Sequence, residues 1–408
     1  MKWNDASFEK KTWFFFIALF LLIAISPALG RHNNYIAYDD GVRKILSGEN
    51  PYPADWMTAT GNSFPSWFLY GPSFVYLFLP FSSLFAGVHV GTYLWVVMNT
   101  MIFYAGVFQA MRFIDTRRLF TGWWLFFCLL LLFNEMQSSL TNLQTNGMVV
   151  GLILLGMTSY FRQRFLASAA YLAVATSFKV FPLAAAMLLA LEFNPLFIGA
   201  FLLFLLLGLA APLVIIDYGF YVELMKTWID FLAHDPVHSI YLGMEPTLLK
   251  LGIGVDGGLF AKFMLLNAFI IALASFFIFR KGRGEYVRLI IPVLLPFLVL
   301  FNKRSESQTF IVVVPVFIIM LSAYLQERAS NNVVAAKWRL TALIACWILV
   351  SMIYSDLSPR PLRAFAWEWH FKTYGALLIY GWGLKRVADF LFSPALTAHF
   401  SKRTARNE

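Results

Sequence analysis

Residues 31–80 read RHNNYIAYDDGVRKILSGENPYPADWMTATGNSFPSWFLYGPSFVYLFLP and follow the first apolar segment of the chain. Nowhere else in the sequence do paired carboxylates, basic residues and aromatic residues crowd together beside a long apolar run. A helix needs about 20 apolar residues to cross a hydrocarbon core about 30 Å thick. We therefore interpret this stretch as the first loop of a membrane protein. Its placement decides the membrane topology of the rest of the chain.

The composition is that of a membrane protein. Apolar residues make up 60% of the chain and charged residues 13%, whereas a soluble domain carries about 25% charged residues. The net charge of +10 is attributed to basic cytoplasmic loops, so no nucleic acid partner is expected. Cys128 and Cys346 both lie in apolar runs and are interpreted as packing residues. The run 13–29 is long for a cleaved signal peptide and is interpreted as a retained span.

Apolar runs recur from end to end and predict an all-α polytopic membrane protein with about 12 spans. We expect a single integral membrane domain over residues 1–408, with no separate soluble domain. The predicted spans are residues 12–30, 91–111, 121–134, 147–161, 165–179, 181–192, 196–216, 258–279, 287–301, 308–325, 339–354 and 372–391.

The apolar stretch 67–87 contains Pro72 and Pro80, and proline interrupts a straight helix. If it spanned the bilayer, the basic segment 280–288 and the basic tail 392–408 would face outward, against the excess of Lys and Arg in cytoplasmic loops. We therefore expect it to lie on the outer surface, within a first outer loop of residues 31–90 that contains surface helices.

The same charge argument predicts a break between two short helices at Lys179–Pro182, because one long helix there would invert every later loop. A second long outer loop then covers residues 217–257. Both termini are cytoplasmic in this arrangement, and the expected location is the plasma (inner) membrane.

Polar residues gather on the outer side of this topology, and some of them are basic. Basic residues there oppose the usual bias, and an anionic group such as a lipid phosphate or pyrophosphate would explain them. The alternative is pairing with local acids, for example Arg43 with Asp39. The predicted phosphate ligands are Arg43, Lys179, Lys303 and Arg304.

Asp39 and Asp40 are followed by GVRKILSGENPY, which predicts an amphipathic helix that ends at Gly48. The functional interpretation is a general base over an acceptor hydroxyl. The alternative is that both acids only complement the positive N-terminal end of the helix. Glu306 is a further candidate for the base.

Other chemistries fit the sequence poorly. It contains no zinc-type His/Cys cluster, no phosphate-binding glycine loop and no serine nucleophile elbow. His234 and His238 are one helical turn apart, but Pro236 lies between them. No metal site and no cofactor are expected.

Three motifs resemble glycosyltransferase family 87, whose members are GT-C type mannosyltransferases that use polyprenyl-phosphate sugars. The first combines Tyr38, LSGENPY (46–52) and LYGPSFVYLFLPFSSLF (69–85). The second is the stretch from Leu140 to Pro182, with a Gln/Asn-containing loop before two spans and Lys-x-x-Pro at its end. The third is FNKRSESQTFIVVVP (301–315). The likeness covers residues 30 to 320.

The resemblance implies a GT-C-like helical bundle in which an acid of the first outer loop acts as base. The family's aspartate falls about fourteen residues before the Gly of L-x-G-x-N-P-Y, where this chain has Asn34. Asp39 or Asp40 is therefore predicted to have taken over the role. The residues predicted to bind the sugar or the acceptor are Asn34, Tyr38, Tyr70, Asn142, Gln144 and Asn146.

The sequence thus predicts a metal-independent, inverting hexosyltransferase of the mannosyltransferase type. Its expected partners are a polyprenyl-phosphate sugar donor, a glycan or glycolipid acceptor of the cell envelope, and membrane lipid. Two alternatives remain open: a transporter or flippase of a lipid-linked sugar, and a non-catalytic scaffold of a polysaccharide assembly complex.

Overall fold

The computed structural model describes residues 5–30, 33–52, 68–114, 123–234, 239–330 and 333–392. Every regular element in these ranges is helical, and none of them contains a strand. The expected all-α class is confirmed. The tail 393–408, part of the first outer loop (53–67) and His238 lie outside the described residues.

The α-helices are connected by short turns, some of them 3-10 helical. In chain order they are α1 (Asp5–Leu29), α2 (Asn33–Leu46), α3 (Pro72–Phe78), α4 (Ser83–Ala86), α5 (Val88–Ile114), α6 (Trp123–Thr141), α7 (Asn146–Phe161), α8 (Phe165–Phe178), α9 (Leu183–Ala190), α10 (Pro195–Ala210), α11 (Tyr218–His234), α12 (Met244–Lys250), α13 (Gly257–Gly282), α14 (Tyr286–Leu300), α15 (Pro315–Ala329), α16 (Val333–Val350), α17 (Arg360–Glu368) and α18 (Phe371–Phe392).

Several of these helices are long and apolar enough to cross a membrane, which makes the chain a multi-pass membrane protein. Among the described residues there are seven such segments: Lys10–Leu29, Val88–Ile114, Trp123–Thr141, Pro195–Val214, Gly257–Leu300, Ser307–Ala329 and Val333–Tyr354. The count of about 12 spans stays a prediction. α9 has only 8 residues, which is about 12 Å of helix.

The outward faces of the long helices are apolar. On α10, Leu203, Leu206 and Leu207 are each more than half exposed, as are Leu265 and Phe269 on α13. A soluble protein rarely exposes contiguous apolar surface of this extent. Lipid tails are the natural surroundings for these faces.

Both helix breaks predicted from proline and charge are present. The stretch 67–87 divides into α3, a 3-10 turn at Leu79–Phe81 and α4. Ser82 ends the turn and caps α4, because its hydroxyl accepts the Leu84 N–H at 3.3 Å. α8 ends at Phe178 and α9 begins at Leu183, so Lys179 lies in the break.

The chain divides into two compact units. Unit 1 comprises Met1–Gln109, Met136–Ala186 and Pro195–Pro236. Unit 2 comprises Ala110–Glu135, Met187–Asn194 and Val237–Glu408. In unit 1 the core is α7, which is buried from Asn146 to Tyr160. In unit 2 the core includes α15, which is buried from Pro315 to Leu325.

Two glycines allow α5 and α7 to pack backbone against backbone within unit 1. A Cβ at Gly106 would lie 2.3 Å from the carbonyl oxygen of Gly151, and a Cβ at Gly151 would lie 2.4 Å from that of Ile102. No side chain fits in that space. Close helix crossings at small residues are a common way for membrane helices to pack.

Candidate functional site

Asp39 lies on α2 and binds the junction between α3 and α4. Its Oδ1 accepts hydrogen bonds from the Ser82 hydroxyl at 2.7 Å and from the Ser83 N–H at 2.8 Å, and its Oδ2 accepts from the Ser83 hydroxyl at 2.5 Å. Arg43, one helical turn later, donates from Nε to Oδ2 at 3.0 Å and also donates to the Ser83 hydroxyl. These four bonds to Asp39 anchor α2.

The environment of Asp39 favours its charged form. Burial alone would raise its pKa, but hydrogen bonds from the two serines and Arg43 outweigh that effect and lower the pKa below its ordinary value. Arg43 is thereby paired with a local acid, which is the alternative considered for it above.

Asp40 has a different environment from its neighbour. Its side chain is 56% exposed and forms an i,i+4 ion pair, Oδ2 to the Lys44 Nζ, at 2.9 Å. No described donor contacts its Oδ1. Asp40 therefore keeps an accessible carboxylate oxygen, and Asp39 does not.

The opposite face of α2 carries the predicted sugar-binding residues Asn34 and Tyr38, since residues four apart lie on the same side of a helix. The Asn34 amide donates to the Asn142 carbonyl oxygen at 2.6 Å. The hydroxyls of Tyr38 and Tyr70 are 3.0 Å apart, and the Tyr70 hydroxyl is 3.3 Å from Thr145 Oγ1. The structure therefore brings these predicted residues together.

Lys179 completes this group. Its Nζ donates to Asn146 Oδ1 at 2.8 Å and lies 5.6 Å from the centroid of the Tyr70 ring. We refer to Tyr38, Tyr70, Thr145, Asn146 and Lys179 as the Lys179 cluster. Gln144, also predicted to bind sugar, is buried in the loop that precedes α7.

The Lys179 cluster presents hydrogen-bond donors and a positive charge without a carboxylate. Among the described residues Lys179 forms no ion pair. Asn146 is fully buried, and its Nδ2 has no hydrogen-bond partner within the part of the chain that the structure describes. Asn146 is also the first residue of α7, and the positive dipole end of a helix favours an anion. In the same turn the Met148 N–H already donates to Asn99 Oδ1 at 3.3 Å. The arrangement suits an anion.

The remaining predicted residues belong to unit 2, in the turn after α14. Glu306 and Lys303 are exposed, and the Arg304 guanidinium lies 5.8 Å from the centroid of the Tyr241 ring. Glu245 belongs to the same unit and was given no role in the sequence analysis. Burial raises the pKa of Glu245, and the positive charge of Lys303 opposes that rise.

A buried ion pair in unit 2 was not predicted. Glu135 on α6 and Lys372 on α18 are 0% and 1% exposed, and the Lys372 Nζ lies 2.8 and 2.7 Å from the two carboxylate oxygens. Lys372 also donates to the Ser307 carbonyl oxygen at 3.1 Å. The two residues are 237 positions apart, and no local pattern in the sequence indicates their pairing.

Among the described residues, no group of three or more His, Cys, Asp or Glu side chains could hold a metal ion. Of the His234–His238 pair, His238 lies outside the described ranges.

Comparison with known families identifies the class of protein. The family model of glycosyltransferase family 87 matches residues 68–300, which is more than half of the chain. This protein therefore belongs to glycosyltransferase family 87, and as a glycosyltransferase it uses a sugar donor and an acceptor. Comparison with curated proteins finds no match.

The matched range contains Tyr70, Thr145, Asn146 and Lys179. It does not contain Asp39 and Asp40, nor the turn that carries Glu306. Of the four predicted phosphate ligands the family match covers Lys179 and leaves out Arg43, Lys303 and Arg304, and it leaves the choice of acid open.

Proposed function

We propose that this protein is an inverting, GT-C type glycosyltransferase. It transfers a hexose of the mannose type from a polyprenyl-phosphate donor to a glycan or glycolipid acceptor on the outer face of the plasma membrane, and both termini are cytoplasmic. The single observation that carries the proposal is Lys179, a half-buried cation among neutral donors with no described carboxylate partner.

A lipid phosphate matches the chemistry of the Lys179 cluster. Leaving a cation without an anionic partner in a partly buried site costs free energy unless a ligand supplies the charge. A phosphate would accept hydrogen bonds from the Lys179 ammonium and from the unpartnered Asn146 amide, and the positive end of the α7 dipole would add to the attraction. A neutral sugar alone would not use the charge.

The polyprenyl chain needs an apolar surface next to the phosphate. A cavity of about 160 Å³ in unit 1 is lined by apolar residues of α3, α8 and α10, and its lining includes Ser73 and Ser177. Ser177 lies two residues before Lys179, and Ser73 lies three residues after Tyr70. This cavity is the site that we propose for the first isoprene units.

In the proposed reaction a carboxylate removes the proton of the acceptor hydroxyl, and that oxygen attacks the anomeric carbon from the side opposite the phosphate. The bond from the anomeric carbon to the phosphate oxygen breaks, and the lipid phosphate leaves with an additional negative charge. Lys179 stabilises that charge as it develops. Attack opposite the leaving group inverts the anomeric centre.

Three acids are candidates for the carboxylate that acts as general base. Asp40 has an accessible oxygen, which a general base needs in order to reach the acceptor. The Asp39 carboxylate is held by four hydrogen bonds, which supports an anchoring role for it. Glu306 is exposed and stays the third candidate.

The test gives purified protein a panel of polyprenyl-phosphate hexoses with an acceptor and measures released polyprenyl phosphate. Lys179→Met should lower the rate by about 10²–10³-fold, the usual effect of losing one donor to a developing negative charge. Its free energy of unfolding should fall by about 1–3 kcal/mol, because the buried Asn146 Oδ1 loses its donor, and this loss is small enough for the variant to be assayed as a folded protein.

The matched control is Lys262→Met, which removes an exposed lysine of α13 and should keep the parental rate. The proposal fails if Lys179→Met releases lipid phosphate as fast as this control. It also fails if the protein transfers sugar from nucleotide donors only. Movement of lipid-linked sugar across liposomes without a new glycosidic bond would support the flippase alternative.

A further inference from the structure

Unit 2 contains a cavity that the proposed transfer reaction does not use. Its volume is about 150 Å³, and it lies where α12 meets the turn between α17 and α18. The lining residues that matter here are Thr247, Lys250, Glu368, Trp369, His370 and Tyr374. An engineered protein cavity of about 150 Å³ holds a benzene molecule, so one six-membered ring fits.

The inner part of this cavity is fixed by hydrogen bonds. Thr247 and His370 are 4% and 3% exposed, and Thr247 Oγ1 lies 2.9 Å from His370 Nδ1. The Thr247 hydroxyl also donates to the Gly243 carbonyl oxygen at 2.7 Å. The polar side chains at the bottom of the cavity are therefore held in one arrangement.

The rim of the cavity combines an aromatic face with charges of both signs. Trp369 is 45% exposed, Lys250 and Glu368 are exposed, and Tyr374 is half-buried. The Glu368 carboxylate would repel an anionic ligand, and the Lys250 ammonium would repel a cationic ligand. A neutral ring with several hydroxyls matches an indole face flanked by one hydrogen-bond donor and one acceptor.

The backbone next to the cavity adopts an uncommon conformation. His370 has φ of +54°, in the left-handed region that residues other than glycine adopt only rarely. It directly follows the end of α17, and Glu368 and Trp369 line the cavity together with residues of α12. Strained backbone of this kind often occurs at ligand sites.

We infer that this cavity binds one hexopyranose unit of a carbohydrate ligand, with the sugar ring against Trp369 and its hydroxyls paired with Lys250 and Glu368. The inference rests on membership of a glycosyltransferase family and on the cavity itself. It does not depend on the donor being a lipid phosphate.

The experiment measures saccharide binding to the full-length protein in nanodiscs by saturation-transfer NMR. The probes are the methyl pyranosides of mannose, glucose and galactose, each titrated to its solubility limit. At least one should receive saturation on its ring protons. Trp369→Ala should weaken that binding by about tenfold, through loss of the aromatic face. Glu368→Gln should weaken it less, because the amide still accepts a hydrogen bond.

The matched control is Trp338→Ala, which removes an exposed indole of α16 outside the cavity and should leave binding unchanged. Lys179→Met should also bind the saccharide normally, so failure of the proposed donor site and failure of this site give different results. The inference is overturned if no probe binds, or if both cavity variants bind like Trp338→Ala. It is also overturned if Trp369→Ala alters only the association of the protein with lipid.

Discussion

Lys372 in unit 2 and Lys179 in unit 1 differ in what surrounds their charge. Lys372 is buried and holds both oxygens of Glu135 within 2.8 Å. Lys179 is half-buried and contacts an amide oxygen and a tyrosine ring. The charge of the first lysine is neutralised by the protein, so it is not available to a ligand. The second leaves charge for a ligand, and this difference separates a structural lysine from a candidate binding lysine.

The largest effect is expected from breaking the buried pair. Glu135→Gln or Lys372→Met leaves one buried charge without its partner, and we expect a loss of about 3–5 kcal/mol in unfolding free energy. Denaturant or thermal unfolding in detergent measures it. The double variant Glu135→Gln/Lys372→Met should regain part of the loss. If each single variant is as stable as the parent, the pair does not stabilise unit 2.

A second variant gives Lys179 a carboxylate partner and so tests the difference between the two lysines directly. Asn146→Asp places an acid at the atom that contacts Lys179 Nζ at 2.8 Å, as Glu135 does for Lys372. The fold should be as stable as that of the parent, but lipid phosphate release should fall by about 10²-fold, because the ligand now meets a neutralised lysine. Release assays beside thermal unfolding measure both effects. An unchanged rate would contradict the assignment of Lys179 to the phosphate.

Asp39, like Lys372, carries a charge that the protein compensates, and its environment predicts a pH dependence of stability. Its folded-state pKa is lowered from the ordinary value of about 3.9. The stabilisation is therefore present above about pH 4 and is lost as the pH falls through the lower folded value. Asp39→Asn should lower stability by about 1–3 kcal/mol near neutral pH and should remove that acid-dependent part. Unfolding midpoints measured from acidic to neutral pH test this, and a parallel pH profile of the two proteins would contradict it.

The smallest stability effect is expected at Asp40. Its ion pair with Lys44 is exposed, and such pairs contribute about 0–1 kcal/mol. Asp40→Asn should therefore unfold like the parent protein, and loss of transfer in this variant would reflect chemistry. Full activity in Asp40→Asn together with full activity in Asp39→Asn would exclude both acids as the base.

Apolar run length, proline positions and loop charge can be read directly from the sequence. They were enough to predict the helical class, the break at Lys179–Pro182 and the interruption of 67–87. The partners of the individual charged side chains could not be predicted from the sequence. Asp39 binds Ser82 and Ser83, which are 43 and 44 residues away, and no spacing rule relates them. Lys179 could be predicted as a candidate from its place in the break, whereas the pairing of Lys372 with Glu135, 237 positions away, arises only on folding.

The contact between Gly106 and Gly151 has a consequence for chemistry as well as for packing. Gly151 lies five residues after Asn146 on α7, a separation of about 7.5 Å along the helix axis. An added methyl group at either glycine would push the two helices apart and shift the amide that holds the Lys179 ammonium. The position of that ammonium therefore depends on Gly106 and Gly151, although neither residue has a side chain that could contact a ligand.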